Sequence, residues 1–124
     1  MDRTLTFLLI GGVFWGIGAA LIKLLAPWVF ASTLSVALFF GLNFLIAAAT
    51  IPLFARLTGR TKHDMLMPTV LMAMAAMLLD GLALSFVPWI YPEDMTARMH
   101  TGAALLFAFW SFFFFALLWH RPAK

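Results

Sequence analysis

The chain has 124 residues, of which 65% are hydrophobic and only 10% are charged, and its mean hydropathy is +1.03. Eight Lys and Arg with five Asp and Glu cannot cover the core of a water-soluble domain of this size, so the composition predicts a chain solvated by lipid. The net charge of +3 does not indicate nucleic-acid binding, because the basic residues are spread over predicted helix ends rather than gathered on one face. The lack of cysteine excludes disulfides, thiolate metal sites and cysteine nucleophiles.

Four apolar stretches follow one another along the chain, and each is long enough for the about 20 helical residues that a hydrocarbon core requires. They cover residues 4–28, 32–57, 65–89 and 96–119. Pro27 is expected to close the first helix and Pro88 the third. Short connections predict that successive helices are antiparallel neighbours. We therefore expect an all-α membrane protein over residues 1–124, a single domain of four transmembrane helices in an antiparallel up-down bundle.

Lys and Arg near the helix ends predict the orientation, because such charges are retained in the cytoplasm. Six of them fall on one predicted side: Arg3, Arg56, Arg60, Lys62, Arg121 and Lys124. Only Lys23 and Arg98 fall on the other side, which predicts that both termini are cytoplasmic. The first stretch is too long for a signal peptide, so we expect a retained helix. Aromatic rings at predicted helix ends are expected at the headgroup level: Trp28, Trp89, Tyr91 and Trp119.

Small residues line one face of the first helix and one face of the third, at helical spacing. The first face carries Gly12, Gly16 and Ala19, and the second carries Ala73, Ala76 and Ala83. Because small residues let two backbones approach closely, the pattern predicts contact between these two helices. Gly12 and Gly16 have GxxxG spacing, so self-association of the protein through this motif is a second interpretation.

Each of these two faces also carries a charged residue inside an apolar run, Lys23 in the first helix and Asp80 in the third. Their depths differ by roughly 6 Å, and the Lys23 side chain leans toward the level of Asp80. Since an unpaired charge in a bilayer costs at least about 2.5 kcal/mol, we predict an intramembrane charge pair. The pair either fixes the register of the two helices or contains a protonatable coupling site at Asp80. Separate hydration of the two residues, with Lys23 extending outward, is the third interpretation.

The remaining polar residues inside the apolar stretches are few. Asn43 is expected to make an interhelical hydrogen bond, and Ser111 lies on an inward stripe of the fourth helix. Seven of the eight methionines lie between positions 65 and 99, but their spacing scatters the sulfurs around the helix, which favours packing over Cu(I) binding. No two of the three histidines share a helix turn, so we expect no metal site and no cofactor.

No arrangement of residues typical of catalysis is present in the sequence. It contains no metal-ligand cluster, no Ser with His and an acid at helical spacing, and no Gly-rich phosphate loop beside a strand. We therefore expect that the protein is not an enzyme.

Two resemblances are carried by these residues. The segments "MLLDGLALSFVPWIYPED" and "TGAALLFAFWSFFFFALL" resemble the second half of a bacterial family of small four-helix membrane proteins, a domain of unknown function. Lys23, Asp80, Pro88 and Pro92 match its pattern, which implies the fold and the bacterial inner membrane but no activity. The opening "GGVFWGIGAALIKLLAP" is similar to the first helix of drug/metabolite transporter halves, through Trp15, Gly16 and Lys23. Small multidrug transporters place a carboxylate in that helix, and here it has none.

These observations favour a non-catalytic membrane protein that acts through helix packing, either by self-association or as an accessory subunit of a larger membrane complex. The alternative is a small homodimeric transporter of the drug/metabolite type, in which Asp80 is the proton- or cation-coupling site. Both hypotheses take the lipid bilayer as the surroundings and exclude nucleic acid as a partner.

Overall fold

The computed structural model describes residues 3–122, and these form four long helices. The helices are α1 (Arg3–Val29), α2 (Thr33–Leu57), α3 (Leu66–Phe86) and α4 (Met95–Trp119). Short 3-10 turns, Lys62–Asp64 and Pro88–Ile90, lie in the connections that precede and follow α3. Each helix is long and apolar enough to cross a membrane, as the sequence predicts.

Local sequence explains where the helices begin and end. Ser32 and Ser35 form a reciprocal capping box at the start of α2, and the Asp94 carboxylate accepts from the Ala97 amide at 2.9 Å at the start of α4. Pro88 lies just beyond the end of α3. Pro27, expected to close α1, lies within it instead, and the helix continues to Val29. A proline disturbs the preceding turn, so the residues that follow it can remain helical.

The closest packing joins alternate helices, α1 with α3 and α2 with α4. In the second pair, the rings of Phe40 and Phe107 lie 5.1 Å apart and those of Phe44 and Phe115 lie 4.7 Å apart, so α2 and α4 run in the same direction. Successive helices are antiparallel, as predicted, but they are not the closest neighbours. Small residues on α1 and α3, and stacked aromatic rings on α2 and α4, bring the alternate helices closest.

Both chain ends lie at one end of the bundle. The Arg3 guanidinium donates to the Thr58 carbonyl at 3.5 Å, and the Arg121 amide donates to the His63 carbonyl at 3.1 Å. The basic residues at this end that the structure describes are Arg3, Arg56, Arg60, Lys62 and Arg121; Lys124 lies outside the described residues. Since Lys23 and Arg98 lie at the opposite end, the bundle separates the two groups of charges as the sequence predicts.

Large apolar side chains cover the outside of the bundle. Val13, Leu38 and Leu106 each expose about two thirds of their surface. Trp28 and Trp89 are also exposed, and their position at the headgroup level stays a prediction. Tyr91, expected at the same level, is fully buried, so that expectation is wrong. The chain folds back after Pro88 and carries the Tyr91 ring into the bundle.

Candidate functional site

The contact between α1 and α3 is closest at Gly11. A Cβ placed on Gly11 would lie 2.3 Å from the carbonyl oxygen of Met72, so only glycine permits this approach. The predicted residues Gly12 and Gly16 lie beside this contact. A Cβ on Gly12 would first meet Leu79, at 3.7 Å, and one on Gly16 would meet no atom of the described chain within 4 Å.

The small-residue face of α3 lies where the sequence predicts it. Ala73, Ala76 and Ala83 are buried, and Ala19 of α1 is buried opposite them. The buried face of α1 nevertheless differs from the predicted one. Its buried residues are Phe7, Gly11, Ala19, Ile22 and Ala26. The buried face of α1 is therefore shifted by one residue from the face that was predicted at Gly12 and Gly16.

Asp80 lies in the middle of this contact and is only 5% exposed. Its Oδ1 accepts two hydrogen bonds, from Trp15 Nε1 at 2.7 Å and from the Tyr91 hydroxyl at 2.5 Å. Its Oδ2 is buried and has no hydrogen-bond partner among residues 3–122. One oxygen of the carboxyl group is thus held by two donors, while the other is left without any.

Two separate elements bring these donors to Asp80. Trp15 lies one helical turn after Gly11, so the close approach at Gly11 places the indole beside α3. Tyr91 follows the turn Pro88–Ile90, which is held by Arg98. The Arg98 guanidinium donates from Nε to the Pro92 carbonyl at 2.6 Å and from Nη2 to the Pro88 carbonyl at 3.4 Å.

The Tyr91 hydroxyl keeps its proton and so remains a hydrogen-bond donor to Asp80. Its burial, assisted by the hydrogen bond to Asp80, raises the pKa of Tyr91 well above its ordinary value of 10.0. The hydroxyl therefore stays protonated, and donates to the Asp80 carboxyl group, throughout the neutral pH range.

The predicted charge pair of Lys23 and Asp80 is not formed. The Lys23 ammonium donates to the carbonyl oxygen of Trp89, at the end of the bundle. Within residues 3–122, the ion pair with N–O within 4.0 Å is that of Arg60 with Asp64, at 2.8 Å. Lys23 is exposed, next to the buried Ile22 rather than on the face that meets α3. Trp15, on that face, occupies the place predicted for the ammonium group.

The other predicted polar residues bond within their own helices. Asn43 Nδ2 donates to the Phe39 carbonyl at 3.0 Å, so this amide group does not make the expected interhelical hydrogen bond. Ser111 is fully buried and donates to the Phe107 carbonyl at 2.8 Å. Both bonds follow the helical pattern in which a side chain satisfies the carbonyl one turn earlier.

A cavity of about 240 Å³ lies beside Asp80 and is lined by residues of all four helices. Trp15, Asn43 and Asp80 are its polar wall residues, and the rest of the wall is apolar. Ile17, Leu21 and Leu42 also border the cavity while exposing about half of their surface on the outside of the bundle. The cavity therefore opens sideways between α1 and α2, toward the lipid-facing surface.

A second cavity, of about 310 Å³, reaches Asp80 from the other side, between α3 and α4. Its wall includes Gly81 and Gly102, whose lack of side chains leaves space between the helices. Asp80 is therefore bordered by space on two sides.

Two of the three histidines, His63 and His100, make contacts at the ends of the bundle. His63 Nδ1 lies 2.8 Å from the Trp119 carbonyl oxygen, and the His100 ring stacks on Phe30 at 5.7 Å. No group of three or more His, Cys, Asp or Glu that could hold a metal ion is found in residues 3–122.

Sequence reasoning missed Gly11, Trp15 and Tyr91 as site residues. Gly11, Trp15 and Ala19 are spaced by four, which would have predicted a common face. Tyr91 is the only tyrosine of the chain and lies between two prolines, Pro88 and Pro92.

The described chain is thus a bundle of four helices, each long and apolar enough to cross a membrane, around a buried carboxyl group. No family model, curated protein or solved structure shows significant similarity to the chain. The two resemblances noted in the sequence stay predictions.

Proposed function

We propose that the chain is a multi-pass protein of the bacterial inner membrane, with both termini in the cytoplasm. The separation of basic residues between the two ends of the bundle supports this orientation, because the richer end is the one retained inside. The resemblance to small four-helix bacterial proteins supports the choice of membrane.

Within that membrane, we propose a non-catalytic transport function in which Asp80 is the proton- or cation-coupling site. The observation that carries this proposal is the buried Oδ2 of Asp80, which lacks a partner in the described chain, on a residue that borders a cavity between the helices. A carboxyl group that only joined helices would be expected to have both oxygens hydrogen-bonded. Intramembrane carboxylates commonly mark paths for ions or protons. A homodimer would place two copies of Asp80 in the assembly.

Electrophysiology on solid-supported membranes tests the transport function. Proteoliposomes of the wild type and of Asp80→Asn would be compared across pH gradients, with a panel of organic cations. We expect a wild-type current that is lost in Asp80→Asn and kept in Asp64→Asn, whose carboxylate lies outside the helices and pairs with Arg60. Absence of current from a folded wild-type sample would refute the transport proposal.

Self-association or an accessory role in a larger membrane complex is the second candidate function. It is favoured by Gly12 and Gly16, whose GxxxG motif lies beside the contact with α3 rather than within it. A Gly16→Leu variant should then lower the oligomeric mass measured by light scattering in detergent, whereas Val13→Leu, on a neighbouring exposed position, should not. Equal oligomeric masses for the wild type and Gly16→Leu would show that this motif does not mediate self-association.

A further inference from the structure

A groove of about 510 Å³ runs along the outside of the bundle between α1 and α2. It exists because α1 packs closest on α3 and α2 packs closest on α4, which leaves the seam between α1 and α2 open. The exposed residues of its wall are apolar, and each shows more than half of its surface: Leu9, Val13, Ile17 and Leu53. The groove therefore offers an apolar surface to whatever surrounds the bundle.

The length and depth of the groove match one leaflet of a bilayer. Its wall on α1 runs from Thr6 to Ile17, which is about 16 Å at about 1.5 Å per residue. The hydrocarbon core of a bilayer is about 30 Å thick, so one leaflet supplies about 15 Å. The groove begins near the end of the bundle that holds both chain ends, and it reaches the middle of α1. It thus has room for one acyl chain lying along the helices.

Two arginines lie at the end of the groove that is nearest the chain ends. Arg3 precedes Thr6 by one helical turn, and its guanidinium donates to the Thr58 carbonyl at 3.5 Å. The Arg3 side chain therefore reaches from α1 across to the end of α2. Arg56 follows Leu53 by one turn, on the same side of α2, and is exposed. Guanidinium groups match the geometry of phosphate oxygens, so this end of the groove suits a phosphate group.

No acidic side chain within residues 3–122 forms an ion pair with either of these two arginines, since the ion pair found there joins Arg60 with Asp64. Six Lys or Arg and two Asp, Asp2 and Asp64, occur in the segments of the sequence at this end: 1–3, 56–64 and 120–124. Of these, Asp2 and Lys124 lie outside the described residues. The excess of positive charge favours a headgroup with a net negative charge over a zwitterionic headgroup, whose ammonium group would be repelled.

We propose that this groove binds an anionic phospholipid, with one acyl chain along Thr6 to Ile17 and the phosphate diester between Arg3 and Arg56. The guanidinium groups donate to the phosphate oxygens in charge-assisted hydrogen bonds, and the groove supplies apolar contact to the chain. A soluble phosphate ester shares the headgroup chemistry but lacks the acyl chain. Asp80 does not line this groove, so the lipid site does not depend on the proposed transport function.

Native mass spectrometry of the full chain, released from detergent, measures the affinity for individual lipids. The probes are phosphatidylglycerol and phosphatidylethanolamine with identical acyl chains, and sn-glycerol 3-phosphate as an anion without acyl chains. We expect phosphatidylglycerol to bind at least about fivefold more tightly than phosphatidylethanolamine, because of the surplus positive charge. We expect no binding of glycerol 3-phosphate, because it cannot occupy the groove.

A matched pair of charge variants separates this site from a general attraction of anionic lipid to the basic end. Arg3→Gln combined with Arg56→Gln should abolish the preference for phosphatidylglycerol. Lys62→Gln combined with Arg121→Gln removes the same charge from the same end, but beside α4, where the Lys62 ammonium lies 4.8 Å from the centroid of the Trp119 ring. This second variant should keep the preference.

A matched pair of size variants tests the groove itself. Leu9→Trp combined with Leu53→Trp places two larger side chains on facing walls of the groove, so it should lower the affinity for both lipids. Leu117→Trp combined with Leu118→Trp makes the same change on exposed positions of α4, near the same end of the bundle, and should leave both affinities unchanged.

Equal affinities of the wild type for the two lipids would overturn the proposal, and this result requires no variant. Equal losses of preference in the two charge variants would also overturn it, because they would indicate a general attraction to the basic end. Lipid affinities that are unchanged by the larger side chains in the groove would contradict the position of the acyl chain. Binding of glycerol 3-phosphate would assign the two arginines to a soluble phosphate ester instead of a lipid.

Discussion

The hydroxyl of Tyr91 donates to Oδ1 of Asp80 across 2.5 Å, which ties the connection after α3 back to the helix that precedes it. Trp15 donates to the same oxygen from α1. Two other segments of the chain thus converge on one oxygen of Asp80, and each bond is made by a neutral donor. The arrangement holds Asp80 in place while leaving its second oxygen without a hydrogen-bond partner in the described chain.

Coupling free energies should identify the true partner of Asp80. A double-mutant cycle with Trp15→Phe and Asp80→Asn should give a coupling of about 0.5 to 3 kcal/mol, because the two residues share a buried hydrogen bond. The matched cycle with Lys23→Met and Asp80→Asn should be additive within about 0.5 kcal/mol. Reversible unfolding in mixed detergent micelles provides the free energies. A larger coupling for Lys23 than for Trp15 would restore the ion pair predicted from the sequence.

Gly11 and Gly16 provide a matched test of the contact between α1 and α3. Gly11→Ala should lower the free energy of unfolding by about 1 to 3 kcal/mol, since the added Cβ collides with backbone rather than with a movable side chain. Gly16→Ala should leave the free energy unchanged or slightly raise it, because the added methyl has space and alanine favours the helix. Equal losses in both variants would place the close approach elsewhere on α1.

Tyr91 can be titrated alone, because it is the only tyrosine in the chain. Absorbance at the tyrosinate band should show no ionisation near pH 10 in the folded protein, since burial and the bond to Asp80 raise the pKa of Tyr91. In denaturant the same group should ionise near its ordinary pKa of about 10. Asp80→Asn should bring the folded-state pKa part of the way back.

The same shift predicts a loss of stability in alkaline solution. Below pH 10 the tyrosine is protonated in both the folded and unfolded states, so the contribution of Tyr91 is fully present. Above pH 10 the unfolded state loses this proton while the folded state keeps it, which favours unfolding. The melting temperature of the wild type should therefore decline more steeply above pH 10 than that of Tyr91→Phe. Parallel profiles would argue against the buried hydroxyl.

The proposed orientation can be tested directly because the chain contains no cysteine. Thr61→Cys and Glu93→Cys place single thiols at exposed positions on opposite ends of the bundle. In intact cells, a membrane-impermeant maleimide should label the thiol at position 93 and reach position 61 only after lysis. Leu38→Cys, on the lipid-facing surface, is the unlabelled control. The reverse pattern would place both termini outside.

The four spans and the inward face of α3 could be predicted from the sequence because they depend on local properties. A run of about 20 apolar residues has only the helix as a way to satisfy its backbone in lipid. The spacing of Ala73, Ala76 and Ala83 around Asp80 then predicts a buried stripe whichever helix covers it. The basic residues at the helix ends were likewise sufficient to separate the two ends of the bundle.

The partners of Asp80 depended on the tertiary structure. Two polar groups in different helices meet only if the rotation of each helix turns them toward each other, and hydropathy alone does not determine that rotation. Here the close contact between Gly11 and the backbone of Met72 sets the rotation of α1 about its axis. This rotation brings Trp15 to Asp80 and leaves Lys23 at the end of the bundle, beside the Trp89 carbonyl. The return of the chain after Pro88 buries Tyr91, a residue whose position along the sequence predicted the headgroup level. Composition and periodicity therefore determined which segments form helices long and apolar enough to span a bilayer, and that a carboxyl group lies among them. The close approach of two backbones decided which side chains hold that carboxyl group.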